Sequence, residues 1–308
     1  MENQDYIKND SAVILEKLKA FKYKNRSLKH DPLIYLNKVI NEFESTNFIS
    51  VSLIDLERIK QDIGSIPNFK KKFNGRKKIT SFKDEILSIL DYKNKRTVFY
   101  PKYFSDLGIK CCVYCNSQLT IVVTEKHQIK NSNPNEYIAK FQLDHYYPKD
   151  KYPHLSISLF NLYPVCSSCN LAKSNNENVD FKLYADRVEE SKFSFELDNK
   201  SKALFLLSRN SSDLRINFKN KFVEDYVDVF NIDEIYKTQY DVAEEIILKS
   251  LIYNGSYRKS IVKEFLKHRV NDSLFKRFIL GNYTADSEIH KRPNAKFMQD
   301  IGKQVGLI

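Results

Sequence analysis

Apolar positions recur at helical spacing through the first hundred residues: Val13, Ile14, Leu18 and Phe21, then Leu33, Leu36, Val39, Ile40 and Phe43. This pattern predicts two amphipathic helices. Asp31-Pro32 marks the start of the second, because proline fits a first turn that needs no amide hydrogen. Residues Ser52 to Ile63 read as a third helix. From Cys111 the period changes. Ser117 to Thr124 and Tyr137 to Leu143 are strand-like, with Tyr137, Ala139, Phe141 and Leu143 on one face of a period-two pattern. The polar stretch 125–136 predicts an exposed loop between them. Further on, Phe193, Phe195 and Leu197, and then Leu214, Ile216 and Phe218, alternate with polar residues as an antiparallel strand pair would. Ile232 to Ile252 has a helical repeat (Ile235, Val242, Ile246, Leu251), with Asn231 and Glu234 at capping-box spacing, and 261–270 continues as helix. The fold class is therefore α+β: a helical region over 1–105, a central region of short strands over 106–180, and a mixed, mostly helical region over 181–308.

A hydrophobic fraction of 42% with 19 Tyr and 21 Phe in 308 residues excludes wholesale disorder. Fifty Lys and Arg against 39 Asp and Glu give a net charge of +11. That field favours polyanions, nucleic acid first, although a merely lysine-rich soluble protein has the same balance. The densest basic run, Lys70, Lys71, Lys72, Arg76, Lys77 and Lys78, reads either as a phosphate grip or as a solvated turn. No window approaches the roughly 20 apolar residues of a membrane span, and the polar start lacks a signal segment, so a cytoplasmic protein is expected.

The five cysteines, Cys111, Cys112, Cys115, Cys166 and Cys169, are confined to two clusters, unlike a secreted disulfide framework. Cys112-Val-Tyr-Cys115 and Cys166-Ser-Ser-Cys169 can each turn tightly enough to aim both thiolates at one tetrahedral zinc. Four thiolates close the shell, so such a zinc would be structural. The 50 residues between the pairs exceed a zinc-ribbon gap, so something must be built inside that loop. Buried or redox-active thiols are the alternative. Cys111 could replace Cys112, although Cys112 makes the tighter knuckle with Cys115.

Between the pairs run Leu143-Asp144-His145-Tyr146-Tyr147-Pro148-Lys149 and Asn161-Leu162-Tyr163-Pro164, and the second pair continues as Cys169-Asn170-Leu171-Ala172-Lys173. This order resembles the HNH nuclease signature over roughly residues 109–178. The resemblance implies a ββα-metal core: a strand ending at Asp144-His145, a loop over 146–160, a strand near Tyr163 to Val165, and a helix from Asn170. It implies His145 as general base, Asp144 and Asn170 as ligands of a catalytic Mg²⁺ or Mn²⁺, and Asn161 as a loop-positioning residue. From the residues themselves, a histidine with an ordinary pKa near 6.5 is mostly neutral at cellular pH and can take a proton from water. One carboxylate and one amide suit a hard cation that keeps water and phosphate as its remaining ligands. Asn170 departs from the commoner histidine but still offers an oxygen, and its short amide predicts a helix start. Lys149 and Lys173, with Lys151 and His154, are candidates for contacting phosphate or for simple solvation.

The tail, Leu280-Gly281-Asn282-Tyr283, Lys291-Arg292-Pro293 and Lys296-Phe297-Met298-Gln299-Asp300-Ile301, is similar to the endings of bacterial defence-associated HNH nucleases such as that of the Septu system. Some of these work with a separate ATPase of the SMC/ABC type. This chain has no G-x-x-x-x-G-K-[S/T] of its own. The expectation is thus a metal-dependent DNA endonuclease in antiviral defence. An RNase, or a catalytically silent zinc module that binds nucleic acid or protein, are the other readings.

Overall fold

A computed structural model describes residues 2–26, 28–73, 78–125, 136–174, 179, 181, 183–184, 193–220, 226–267 and 271–308. The three N-terminal helices form as α1 (Glu2–Lys24), α2 (His30–Ser45) and α3 (Leu53–Ile63). Of the expected stripes, α1 buries Ile14 and Leu18 but leaves Val13 exposed, and α2 buries Leu36, Val39, Ile40 and Phe43; α3 buries Leu56, Ile59 and Ile63. Fully burying such a side chain contributes about 1.5–3 kcal/mol, which is what orders helices whose propensities alone are weak. Pro32 lies in the first turn of α2. Ser52 caps α3 by accepting from the Asp55 amide at 3.1 Å, and Gly64, at a φ of 76° that side chains rarely adopt, ends it. The start of the basic run forms one strand of a small antiparallel ladder, β1 (Lys70–Lys71) with β2 (Thr80–Ser81). Arg76 and Lys77 lie outside the described residues. Helices α4 (Phe82–Ile89), α5 (Tyr92–Thr97) and α6 (Phe99–Asp106) complete this region.

In the centre, β3 (Ile121–Glu125) pairs with β4 (Glu136–Lys140), and β5 (Gln142–His145) pairs with β6 (Leu162–Val165), both antiparallel. The strand expected from Ser117 begins only at Ile121, because 111–119 is a turn closed by a bridge between Cys111 and Leu119. The strand expected over Tyr137 to Leu143 breaks at Phe141, so its halves join different partners. Of the loop expected over 125–136, Glu125 and Glu136 belong to the paired strands, and 126–135 lie outside the described residues. Helix α7 (Ser167–Lys173) follows. It starts three residues before Asn170, which corrects the predicted cap. Cys166 takes the extended cap conformation instead, as the turn of the second C-x-x-C requires.

The C-terminal region contains β7 (Phe193–Leu197), α8 (Asn199–Ser208), β8 (Ile216–Asn220), α9 (Tyr226–Phe230), α10 (Ile232–Lys237), α11 (Tyr240–Ile252), α12 (Gly255–Lys267), α13 (Asp272–Leu280) and α14 (Ala295–Gln304). β7 and β8 pair antiparallel as their alternation predicts. The single helix expected over 232–252 is two, broken at Thr238-Gln239. The capping box does not form: Asn231 is left-handed at φ 50° and its side chain makes no cap bond. The polar positions of α14 hold the edge of β7. Asp300 accepts from the Phe195 amide at 2.9 Å and pairs with Lys296 at 2.9 Å, while Gln304 Oε1 accepts from the Leu197 amide at 2.9 Å.

These elements make two apolar cores. One unites α1–α6 with Leu143, Tyr147, Leu155, Ile157, Leu159 and Leu162. The other gathers Cys112–Cys115, Tyr163, Val165 and Cys169 with the C-terminal elements. The β5–β6 hairpin is the wall between them, and strand pleat sorts its residues: Leu162 faces one core and Tyr163 the other. No helix among the described residues is long and apolar enough to cross a membrane.

Candidate functional site

The Sγ atoms of Cys112, Cys115, Cys166 and Cys169 lie within 4.8 Å of one another, a set able to hold a metal ion such as zinc. The first pair sits on a tight turn: the Asn116 amide donates to the Cys112 carbonyl at 2.8 Å, and Asn116 is left-handed at φ 54°. Tyrosines from the second core cap this turn, with Tyr236 donating to the Cys115 carbonyl at 2.9 Å and Tyr226 to that of Tyr114. The second pair spans the cap and first turn of α7. Four thiols this close cannot all ionise without a cation. Cys166 is pulled well below the ordinary thiol range by hydrogen bonds from its three neighbours, and Cys169 is pushed well above it. Cys111 stands outside the cluster. It is fully buried, donates to the Ile289 carbonyl at 3.5 Å, and burial holds its thiol neutral.

Successive residues of β5 present the chemistry on opposite faces. Asp144 points toward Tyr114 and α7: its Oδ2 accepts from the Tyr114 hydroxyl at 2.6 Å and pairs with Lys173 Nζ at 2.9 Å. Among the described residues none donates to its Oδ1. Lys173, expected as a surface lysine within reach of phosphate, is instead 1% exposed and also donates to the His145 carbonyl at 3.0 Å. A buried ammonium needs such partners, and Asp144 supplies the opposite charge. Asn170 donates through Nδ2 to Gln142 Oε1, which leaves its amide oxygen as the end open to a ligand.

His145 lies on the other face, packed against the Tyr92 ring at 5.0 Å, with Nε2 3.3 Å from the Ser156 carbonyl. A carbonyl only accepts, so this contact fixes the proton on Nε2 and leaves the Nδ1 lone pair free. Burial, then the charges of Lys149, Lys173 and Arg96, push the imidazole down to about 3, so it is neutral throughout the physiological range. Asn161 is fully buried and ties the loop between β5 and β6. It accepts from the Tyr147 amide at 2.7 Å and donates to the carbonyls of Leu155 and Tyr147 at 3.0 and 3.3 Å. His154, offered by the sequence as a phosphate contact, is fully buried in the first core, with Nδ1 2.7 Å from the Tyr35 hydroxyl. Lys151 is exposed, and its carbonyl accepts from the Ile66 amide at 2.8 Å.

Asp144, His145 and Asn170 open together into one cleft of about 460 Å³, which Lys149, Asp150, Ser167 and Leu171 also line. Lys149 is half-buried, its ammonium 5.5 Å over the Tyr92 ring, and burial lowers its pKa. No family model, curated protein or solved structure matches the chain. The site therefore rests on its own geometry. Sequence reasoning missed Tyr92, Arg96, Tyr114 and Gln142, which surround the motif from distant positions or carry no chemistry of their own. Only the alternation of β5 and the aromatic content of 92–104 hinted that a helical flank would roof His145.

Proposed function

We propose that this chain is a metal-dependent endonuclease of the HNH type, hydrolysing phosphodiester bonds in nucleic acid, DNA foremost, as a bacterial antiviral effector. One observation carries the reading. A neutral imidazole with a free nitrogen, a carboxylate with a free oxygen and an amide share one cleft, on a hairpin–helix unit tied by four cysteines to a distant turn.

In this reading the four thiolates hold a structural zinc, since a complete sulfur shell leaves no place for water. The cleft has different donors. Among the described residues the cysteines are the only group of three or more metal-binding side chains. A cation in the cleft would therefore rest on Asp144 Oδ1 and the Asn170 amide oxygen, with water and phosphate for the rest. That set fits Mg²⁺ or Mn²⁺. When bound, such an ion neutralises charge developing on the phosphate and leaving oxygen. His145 Nδ1 takes the proton of the attacking water as its oxygen bonds to phosphorus and the ester bond to the leaving oxygen breaks. An imidazole pushed down to about 3 by burial first and by surrounding cations second is a weak base until an anionic phosphate enters beside it and raises its proton affinity. Asn161 fixes the loop that carries the Ser156 carbonyl, and so the tautomer. A nucleotide-driven step would belong to a separate SMC/ABC-type ATPase.

The test is Mg²⁺-dependent cleavage of plasmid DNA and of RNA by the purified chain, with that ATPase added in parallel. His145→Ala is expected to lower the rate by roughly 10²- to 10⁴-fold, with thiol-bound metal and folding unchanged. Faster cleavage of RNA than of DNA would move the substrate to RNA. An unaffected His145→Ala rate, or no cleavage under any arm, sinks the nuclease and leaves a silent zinc module.

A further inference from the structure

Lys70, the first residue of the basic run that the cleavage reading does not use, lines a second cleft of about 380 Å³ together with Asn68, Ser81, Lys83, Asp84 and Asp150. Asp150 lines the catalytic cleft too, so the two depressions meet at one residue. We infer that together they form one groove that binds the phosphodiester backbone flanking the scissile bond, with the β1–β2 ladder as its far grip. This rests on the nuclease reading.

Charge along the path supports a polyanion. Arg96 and Lys149 stand close enough to His145 to depress its proton affinity, and Lys83 acts likewise on Lys149. The two carboxylates in the second cleft are already engaged. Asp150 pairs with Lys83 at 2.7 Å, and Asp84 accepts from Ser81 Oγ at 2.6 Å while its amide donates to the same oxygen. Lys70, Lys71, Lys72 and Lys78 form no ion pair among the described residues, and Lys70, Lys72 and Lys78 are exposed. Backbone phosphates that lie in such a groove release counterions, so binding there must depend on salt.

The experiment measures binding of a fluorescent duplex of about 30 base pairs by the full chain, with Ca²⁺ replacing Mg²⁺ to suppress cleavage, across a salt series. A duplex short enough to fill only the catalytic cleft serves as reference. Lys70→Gln/Lys72→Gln, which leaves the Lys83–Asp150 pair beside the catalytic cleft intact, is expected to reduce the slope of log affinity against log salt by about 2, one per lost phosphate contact. Affinity for the long duplex should fall on the order of tenfold at low salt. Binding and Mg²⁺-dependent cleavage of the short duplex should stay at the wild-type level. If the long duplex binds the variant with unchanged affinity and slope while His145→Ala still abolishes cleavage, the groove is wrong and the nuclease stands. If the wild-type chain binds neither duplex, both fall.

Discussion

The four-cysteine cluster and the Asp144–His145 cleft hang on the same hairpin and helix, yet they are built on opposite plans. In the cluster four like groups converge, three of them buried, and tyrosines from the second core cap the turn that carries the first pair. In the cleft each polar group is different, each is held by a separate partner, and one atom of each is left over: Asp144 Oδ1, His145 Nδ1, the Asn170 amide oxygen. Satisfying every ligand makes a frame. Leaving one lone pair unsatisfied on each rigidly held group leaves donors open to a ligand.

The largest expected effect breaks the frame. Cys169→Ala leaves three thiols in a buried cluster designed for four, and structural zinc sites contribute on the order of 10 kcal/mol of apparent folding free energy. Loss of bound metal should be accompanied by loss of hydrogen-exchange protection in β6, α7 and the aromatic packing around Tyr114 and Tyr226. Protection should persist in α2 and α3, which belong to the other core. Uniform loss across both cores would show that the hairpin couples them into one cooperative unit. A stable variant with full protection would remove the cluster's structural role.

The same contrast explains what the sequence revealed. The cysteine pairs were legible because a C-x-x-C turn is local, and the β5 and β6 strands because pleat alternation is local. The environment of the cleft was not. Lys173 reads as a helix-surface lysine until Asp144, 29 positions earlier and itself held by the Tyr114 hydroxyl, pairs with it. His154 reads as a loop residue until Tyr35 of α2 reaches it. The start of α7 differs for a related reason: Asn170 has a capping side chain, but the turn of the second C-x-x-C places the cap at Cys166. The break at Thr238 and the left-handed Asn231 follow from packing of α10 and α11 on the second core, which overrides a repeat that alone would continue.

A smaller effect sharpens the boundary between frame and site. Removing one partner of a buried ion pair strands the other charge, at a cost of roughly 3–5 kcal/mol. Lys173→Met should therefore destabilise the fold through Asp144, and Lys173→Met/Asp144→Asn should recover much of that loss. In chemical denaturation the double variant is expected to lie closer to wild type than the single one does. Cleavage should be lost in both, the first through an unfolded or misoriented carboxylate and the second through a missing metal ligand. Additive destabilisation would mean that the pair is not coupled across the hairpin, and that Lys173 acts only through the His145 carbonyl.

The smallest effect distinguishes the cores by acid. His154 is fully buried in the first core, and burial alone depresses it to about 3. Its unfolded value is near 6.5, so between these limits the unfolded chain binds a proton that the native chain excludes. Stability from this residue is therefore complete above about pH 6.5 and falls as the pH drops toward 3, by about 1.4 kcal/mol per pH unit. His145 adds the same dependence at the hairpin, which faces the same core. Tyr35→Phe/His154→Phe removes the titrating group and its hydroxyl partner together, so no buried polar atom is orphaned by the change. Denaturation midpoints of this variant between pH 6.5 and 5 should fall less steeply than those of wild type, by roughly 1.4 kcal/mol for each pH unit. The difference should be read from α2 and α3 rather than from the cysteine cluster, where any metal held by the thiols would be lost to acid by a separate route. Parallel curves for the two proteins would show that His154 is already protonated in the native core, and that Tyr35 serves as its acceptor rather than its donor.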